Sequence, residues 1–208
     1  MPVLEILQLK IKPSISPTDP SILTCLRTVR SSLAQKVHPT HSRFFCALED
    51  PALIYVFGLW PNVATHQAFL SSPLKPSILS PQDDLLDFNW MIHIPLEDEE
   101  TLSSTLEAPI VAIARLHVKG GEHVICHKEI TGQYGHMLVE RTKPFGVVEG
   151  WRVDKEAGSE EQVVITGWEA KEDNMAFVAG LSKKYPDYAT LRDHWEGFEA
   201  NNMRDMEK

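Results

Sequence analysis

Along the first hundred residues, the apolar positions switch repeatedly between a spacing of two and a spacing near 3.6. The opening stretch, Val3–Lys12, is rich in branched side chains and alternates at its C-terminal end, which predicts a strand. From Pro20 to Lys36 the apolar residues Ile22, Leu26, Val29 and Leu33 recur at helical spacing, so one stripe of a helix is predicted to be buried. Thr18 or Asp19 can cap its first turn, and Pro20 suits the first helical position because its missing N–H has no partner there anyway. Two further strands are predicted over Ser42–Leu48 and Leu53–Trp60, joined by Glu49-Asp50-Pro51 as a hairpin connection. A second helix over Val63–Ser71, with Asn62 as its cap, and a strand over Leu86–Ile94 complete the order β-α-β-β-α-β. That is the ferredoxin-like plan, an antiparallel sheet with both helices on one face.

The pattern is then written again. Pro109–Lys119 repeats Pro2–Lys12 at an offset of 107, keeping proline, leucine and lysine at Pro2/Pro109, Leu9/Leu116 and Lys12/Lys119. Tyr55–Trp60 and Val163–Trp168 match at an offset of 108, with Ala68/Ala176 and Phe69/Phe177 in register beyond them. Two matches at nearly one offset point to a tandem duplication. The second copy is predicted as strand 110–119, a helix within Glu122–Arg141, strand Phe145–Val153, a turn through Ala157-Gly158-Ser159, strand Gln162–Trp168 and a helix from about Glu172. From Asp187 towards Met206 the sequence reads as helical, and no clear fourth strand emerges. The predicted organisation is therefore a first repeat over 1–96, an acidic linker over 97–108 and a second repeat over 109–208. The fold class is α+β, with the two bare sheet faces covering each other as a pseudo-dimeric barrel.

Composition narrows the function classes. The chain has 208 residues, 43% of them hydrophobic, which is ample for a core. Its longest apolar stretches, Ala52–Trp60 and Pro109–Ala114, fall short of the roughly 20 residues that span a bilayer. A formal net charge of −9 with no basic run argues against a nucleic-acid partner. The N-terminal run carries Glu5 among its apolar residues and no basic leader, so no signal or transit peptide is expected. Three scattered cysteines, Cys25, Cys46 and Cys126, do not make a disulfide framework. A cytoplasmic protein with a small-molecule partner is expected. No Gly-rich phosphate loop or dinucleotide fingerprint is present, so no cofactor is expected. His123 and His127 lie four residues apart with Cys126 between them, but no third ligand follows at metal-site spacing, and no metal is expected.

The stretch Trp60…His66…Phe69, at a strand-to-helix junction, resembles the antibiotic biosynthesis monooxygenase-like group of the dimeric α+β barrel superfamily. In that group the third strand often ends in Trp, and two His spaced by three residues open the next helix. Here Trp60 and His66 match, while Phe69 replaces the second His; in the second copy Trp168 matches, with Asn174 and Phe177 replacing both His. The two-copy arrangement resembles fungal members, some of which act in secondary metabolism. The resemblance implies a small cofactor-independent enzyme that oxygenates, decarboxylates or cyclises an aromatic or polyketide-like molecule. The alternative is a non-catalytic ligand-binding or stress-related barrel. Dimerisation through sheet edges is open to such units.

Strand alternation adds candidate residues. Asn89, Met91 and His93 share one face of the fourth strand, opposite Phe88, Trp90, Ile92 and Ile94. With the apolar face against helices, Asn89 and His93 would point into the barrel, joined there by Arg115 and His117. His66, His93, Arg115 and His117 are thus the predicted acid–base and anion-holding groups. Trp60, Asn89, Trp168 and Asn174 are the predicted substrate contacts.

Overall fold

The computed structural model describes residues 1–156 and 158–208; Ala157, in the predicted turn, lies outside the described residues. The chain divides into two compact units, residues 1–97 with 204–208, and residues 98–203.

The first unit contains β1 (Val3–Ile11), α1 (Pro20–Lys36), β2 (Arg43–Ala47), β3 (Leu53–Trp60), α2 (Val63–Leu70), a short α3 (Leu74–Leu79) and β4 (Leu86–Pro95). Its strands run antiparallel in the order β4-β1-β3-β2, the ferredoxin-like arrangement. Asp19 caps α1 by accepting a hydrogen bond from Ser21 N, and Asn62 caps α2 by accepting from Thr65 N. The α1 stripe Ile22, Leu26, Val29 and Leu33 is buried, each side chain contributing about 1.5–3 kcal/mol by leaving water. It packs over the β1–β3 face that carries Leu9, Ile54 and Val56. The chain's last residues return to this unit. Met206 N donates to Phe44 O of β2, and Glu207 is held by Arg30 and Arg27. The hydrogen bonds from Arg30, with those from Arg27, keep the Glu207 carboxyl down at about 2.

The second unit contains α4 (Glu99–Leu106), β5 (Ile110–Val118), α5 (Glu122–Arg141), β6 (Val147–Trp151), β7 (Glu160–Trp168), α6 (Lys171–Lys184), α7 (Pro186–Ala189) and β8 (Trp195–Asp205). Its antiparallel order β8-β5-β7-β6 matches the first unit's strand for strand.

Two expectations are corrected here. The acidic linker is not a solvated coil: Asp98 caps helix α4 by accepting from Glu100 N and Thr101 N, and Leu102, Thr105 and Leu106 are buried. The second unit does have a fourth strand, β8, in the segment that reads as helical; Phe198, Ala200 and Asn202 alternate on one face of it. Among the described residues, β4 pairs only with β1, and β6 only with β7. No helix among the described residues is long and apolar enough to cross a membrane.

One close approach in the second unit sets a stability prediction. A Cβ added at Gly167 would lie 2.4 Å from Phe145 Cβ and 2.9 Å from Ala108 Cβ, well inside contact distance. Gly167→Ala is expected to destabilise by about 3 kcal/mol and lower the Tm by roughly 6–12 °C. An unchanged Tm in a calorimetric scan would show that this packing yields freely.

Candidate active site

Glu5 stands in the middle of β1, opposite Gly58 on β3 and opposite His93 on β4. All three share the face of the sheet that α1 and α2 cover. The glycine makes room, since a Cβ there would meet Glu5 Oε2 at 2.9 Å. Trp60, two residues along β3, donates its indole N–H to Glu5 Oε2 at 2.6 Å. The Asn62 cap starts α2 so that His66, one turn in, stacks on Trp60 with ring centroids 4.2 Å apart and planes 10° from parallel. His66 Nδ1 lies 2.8 Å from His93 Nε2, so one N–H is shared between the two rings. His66 Nε2 faces Glu5 Oε1 at 3.7 Å. The result is a buried chain of titratable groups, Glu5–His66–His93, braced by Trp60. Burial lifts the Glu5 carboxyl above its ordinary value, while the Trp60 hydrogen bond and the nearby His93 act in the opposite direction.

This chain closes one end of a cavity of about 300 Å³ between the sheet and the helices. Glu5, Trp60 and His66 form its polar end; Leu7, Leu26, Val29 and Phe69 line its apolar wall. Exposed Phe88 and Lys75 also border it.

The same positions in the second unit carry different chemistry. Register places Ala112 where Glu5 stands, Thr166 where Gly58 stands and Asn202 where His93 stands. Asn174 takes the place of His66. Volume is exchanged across the strand pair: Glu faces Gly in one unit, Ala faces Thr in the other. The bonding geometry persists without the charges, since Asn174 Nδ2 donates to Asn202 Oδ1 at 2.9 Å and Trp168 Nε1 donates to Thr166 Oγ1 at 2.7 Å.

The predicted site residues therefore separate. His66 and His93 come together, but on the helix-covered face; the assignment of His93 to the opposite face is corrected. A β-bulge at Asn89 shifts the phase of β4, so Asn89 Nδ2 donates to Gln8 Oε1 instead of sharing the His93 cluster. Trp60 lines the first cavity. Trp168 does not line the second; it is buried beside Phe177, with the Arg141 guanidinium over its ring. Arg115 lines neither cavity. Buried on the sheet face away from the second unit's helices, it donates to Glu161 Oε1 at 2.6 Å and to Glu199 Oε2 at 3.1 Å. His117, on the same face, lies 3.9 Å from Glu199 and lines neither cavity. Among the described residues, no group of three or more His, Cys, Asp or Glu is placed to hold a metal ion. The residue that sequence reasoning missed is Glu5. Its signature was visible, a lone carboxylate inside an apolar strand, and burying such a residue is costly unless it is hydrogen-bonded or paired, which marks it as a site candidate.

No protein family and no curated protein matches the chain in sequence. In structure it is similar to an anthrone oxidase-like protein, at a TM-score of 0.64 and 10% identity, over 98% of this chain and 91% of that one. It is also similar to a chlorite dismutase variant from Candidatus Nitrospira defluvii, at 0.61 and 13% identity, over 97% and 90%. A candidate monooxygenase from Lactobacillus acidophilus matches at 0.58 and 10% identity, over 98% and 93%. Similarity at this identity establishes the α+β fold, built from ferredoxin-like units, and leaves the chemistry to the residues.

Proposed function

We propose that the first unit's cavity is the active site of a small enzyme that removes a proton from an aromatic or polyketide-like substrate without a cofactor. The observation that carries this reading is the Glu5–His66–His93 chain at the end of a mostly apolar cavity of about 300 Å³. Glu5 is the base. Its raised pKa makes it a stronger proton acceptor than an exposed carboxylate. His66 borders the cavity and holds or passes the proton, His93 positions His66, and Trp60 orients both Glu5 and His66. The apolar wall accepts a flat ring system.

Proton removal beside an aromatic carbonyl leaves a stabilised carbanion, which can react with dioxygen or close a ring. In the oxygenation, a CH₂ group loses its proton to Glu5 and the carbanion's electrons pass to dioxygen, with the balance CH₂ + O₂ → C=O + H₂O. An anthrone oxidase-like protein and a candidate monooxygenase share this fold, which is compatible with the oxygenation; decarboxylation and cyclisation are the other outcomes. On this reading the protein is a two-copy, fungal-type relative of the antibiotic biosynthesis monooxygenase-like group, cytoplasmic and engaged in secondary metabolism.

Anthrones and aromatic β-keto acids are to be screened for oxygen uptake and carbon dioxide release. One class is expected to be consumed, at a rate that rises with pH as Glu5 ionises. Absence of uptake, release or thermal stabilisation with every compound would discard the reading.

A further inference from the structure

We propose that the second unit holds a separate ligand site, for a neutral, flat, mostly apolar molecule carrying hydroxyl or carbonyl groups. The site is a cavity of about 240 Å³ against the helix-covered face of β5 and β7. Leu116, Leu138, Phe177 and Leu181 supply its apolar wall. Its polar lining includes Gln162, Thr166 and Asn202, each more than nine-tenths buried, together with Asn174. Amides and hydroxyls both donate and accept without carrying charge, the handles that a neutral hydroxyl or carbonyl group needs.

The orientation of Gln162 is set by a one-way run of hydrogen bonds. An indole N–H can only donate, so Trp195 Nε1, 3.0 Å from His127 Nδ1, makes that nitrogen an acceptor. His127 then carries its proton on Nε2 and donates to Gln162 Oε1 at 2.6 Å. Burial of His127 lowers its pKa and keeps it neutral. With its oxygen so engaged, Gln162 presents its NH₂ group, one hydrogen of which goes to Glu149 Oε2 at 3.3 Å. The second hydrogen can meet a ligand carbonyl.

Two features argue against an anionic ligand. Glu149 borders the same cavity and would repel one. Arg192, the cation in the lining, is exposed and lies over the Phe198 ring with its guanidinium carbon 5.4 Å from the centroid. The Glu5–His66–His93 chain has no equivalent here, because Ala112, Asn174 and Asn202 hold those positions. This inference stands apart from the reading of the first cavity.

Calorimetric titration of the full chain with 1-naphthol, and separately with 1-naphthoate as its anionic counterpart, tests it. Naphthol is expected to bind, with its affinity lowered at least about tenfold by Asn174→Leu and by Ala114→Leu, which fills the cavity, and unchanged by Glu5→Gln. Naphthoate is expected to bind at least about tenfold more weakly than naphthol. A circular dichroism melt checks each variant, and Ala114→Leu decides the matter if Asn174→Leu does not fold. The inference is overturned if naphthol gives no heat, if it binds equally to both second-cavity variants, if its binding is lost in Glu5→Gln, or if naphthoate binds as well.

Discussion

Replacing Glu5 by glutamine is expected to slow turnover of the screened substrate by about 10²–10⁴-fold, the usual contribution of a positioned general base. Glutamine keeps the shape and can still accept the Trp60 N–H, so the loss isolates the proton-accepting role. The same substitution should stabilise the fold at high pH. Burial raises the Glu5 pKa, so the folded protein holds this proton to a higher pH than the unfolded chain does. As pH rises from the unfolded carboxyl's range through the folded pKa, wild type must ionise a buried group and loses stability; below that range the two proteins should melt alike. Melting curves of wild type and variant from acid to alkaline pH would therefore diverge upward in favour of glutamine. Wild-type turnover in the variant would remove Glu5 from the mechanism. Parallel melting curves would mean that the neighbouring His66 and His93 compensate its charge.

Arg115→Ala is expected to cost about 3–5 kcal/mol of stability, because it strips a partner from a buried ion network. Glu161 is only 2% exposed and is shared by Arg115 at 2.6 Å and Arg152 at 3.2 Å. Arg152 is itself engaged with Asp154 at 2.9 Å. Removing Arg115 leaves a buried carboxylate with one distracted partner. The double variant Arg115→Met with Glu161→Gln should recover much of the loss, since replacing both ions removes the uncompensated charge. Denaturant unfolding of the single and double variants measures this coupling. Activity per folded molecule should stay at the wild-type level. A stable Arg115→Ala protein with weakened binding of anionic compounds would instead restore the anion-holding role that the residue's position on its strand suggests.

Much of the first unit was legible from spacing alone. The Ile22–Leu26–Val29–Leu33 stripe predicted α1 with the bounds observed, Leu53–Trp60 emerged as β3, and Asn62 proved to be the cap that places His66. These features depend on neighbours a few residues away, where helical and strand periods act directly. The fourth strand of the second unit was not legible. Trp195–Asp205 carries polar and small residues on both faces, and its pairing with β5 joins residues 77 to 92 positions apart. The segment 98–106 looked like a linker because its first turn is acidic. Those same carboxylates favour a helix start, and its three buried residues find their cover only in the folded unit.

The candidate site divides along the same line. Sequence by itself determined the alternation of β1, the Trp60–His66 junction and the correspondence of His66 with Asn174. It also placed a lone carboxylate in β1. Only the tertiary structure decided which face of that strand the helices cover, because a period of two sorts side chains into two sets without saying which set is buried under what. It also placed the bulge at Asn89, which moves that residue out of phase with His93. Those two decisions, both made by long-range pairing and packing, bring Glu5, His66 and His93 together in one unit and leave neutral amides at the same place in the other.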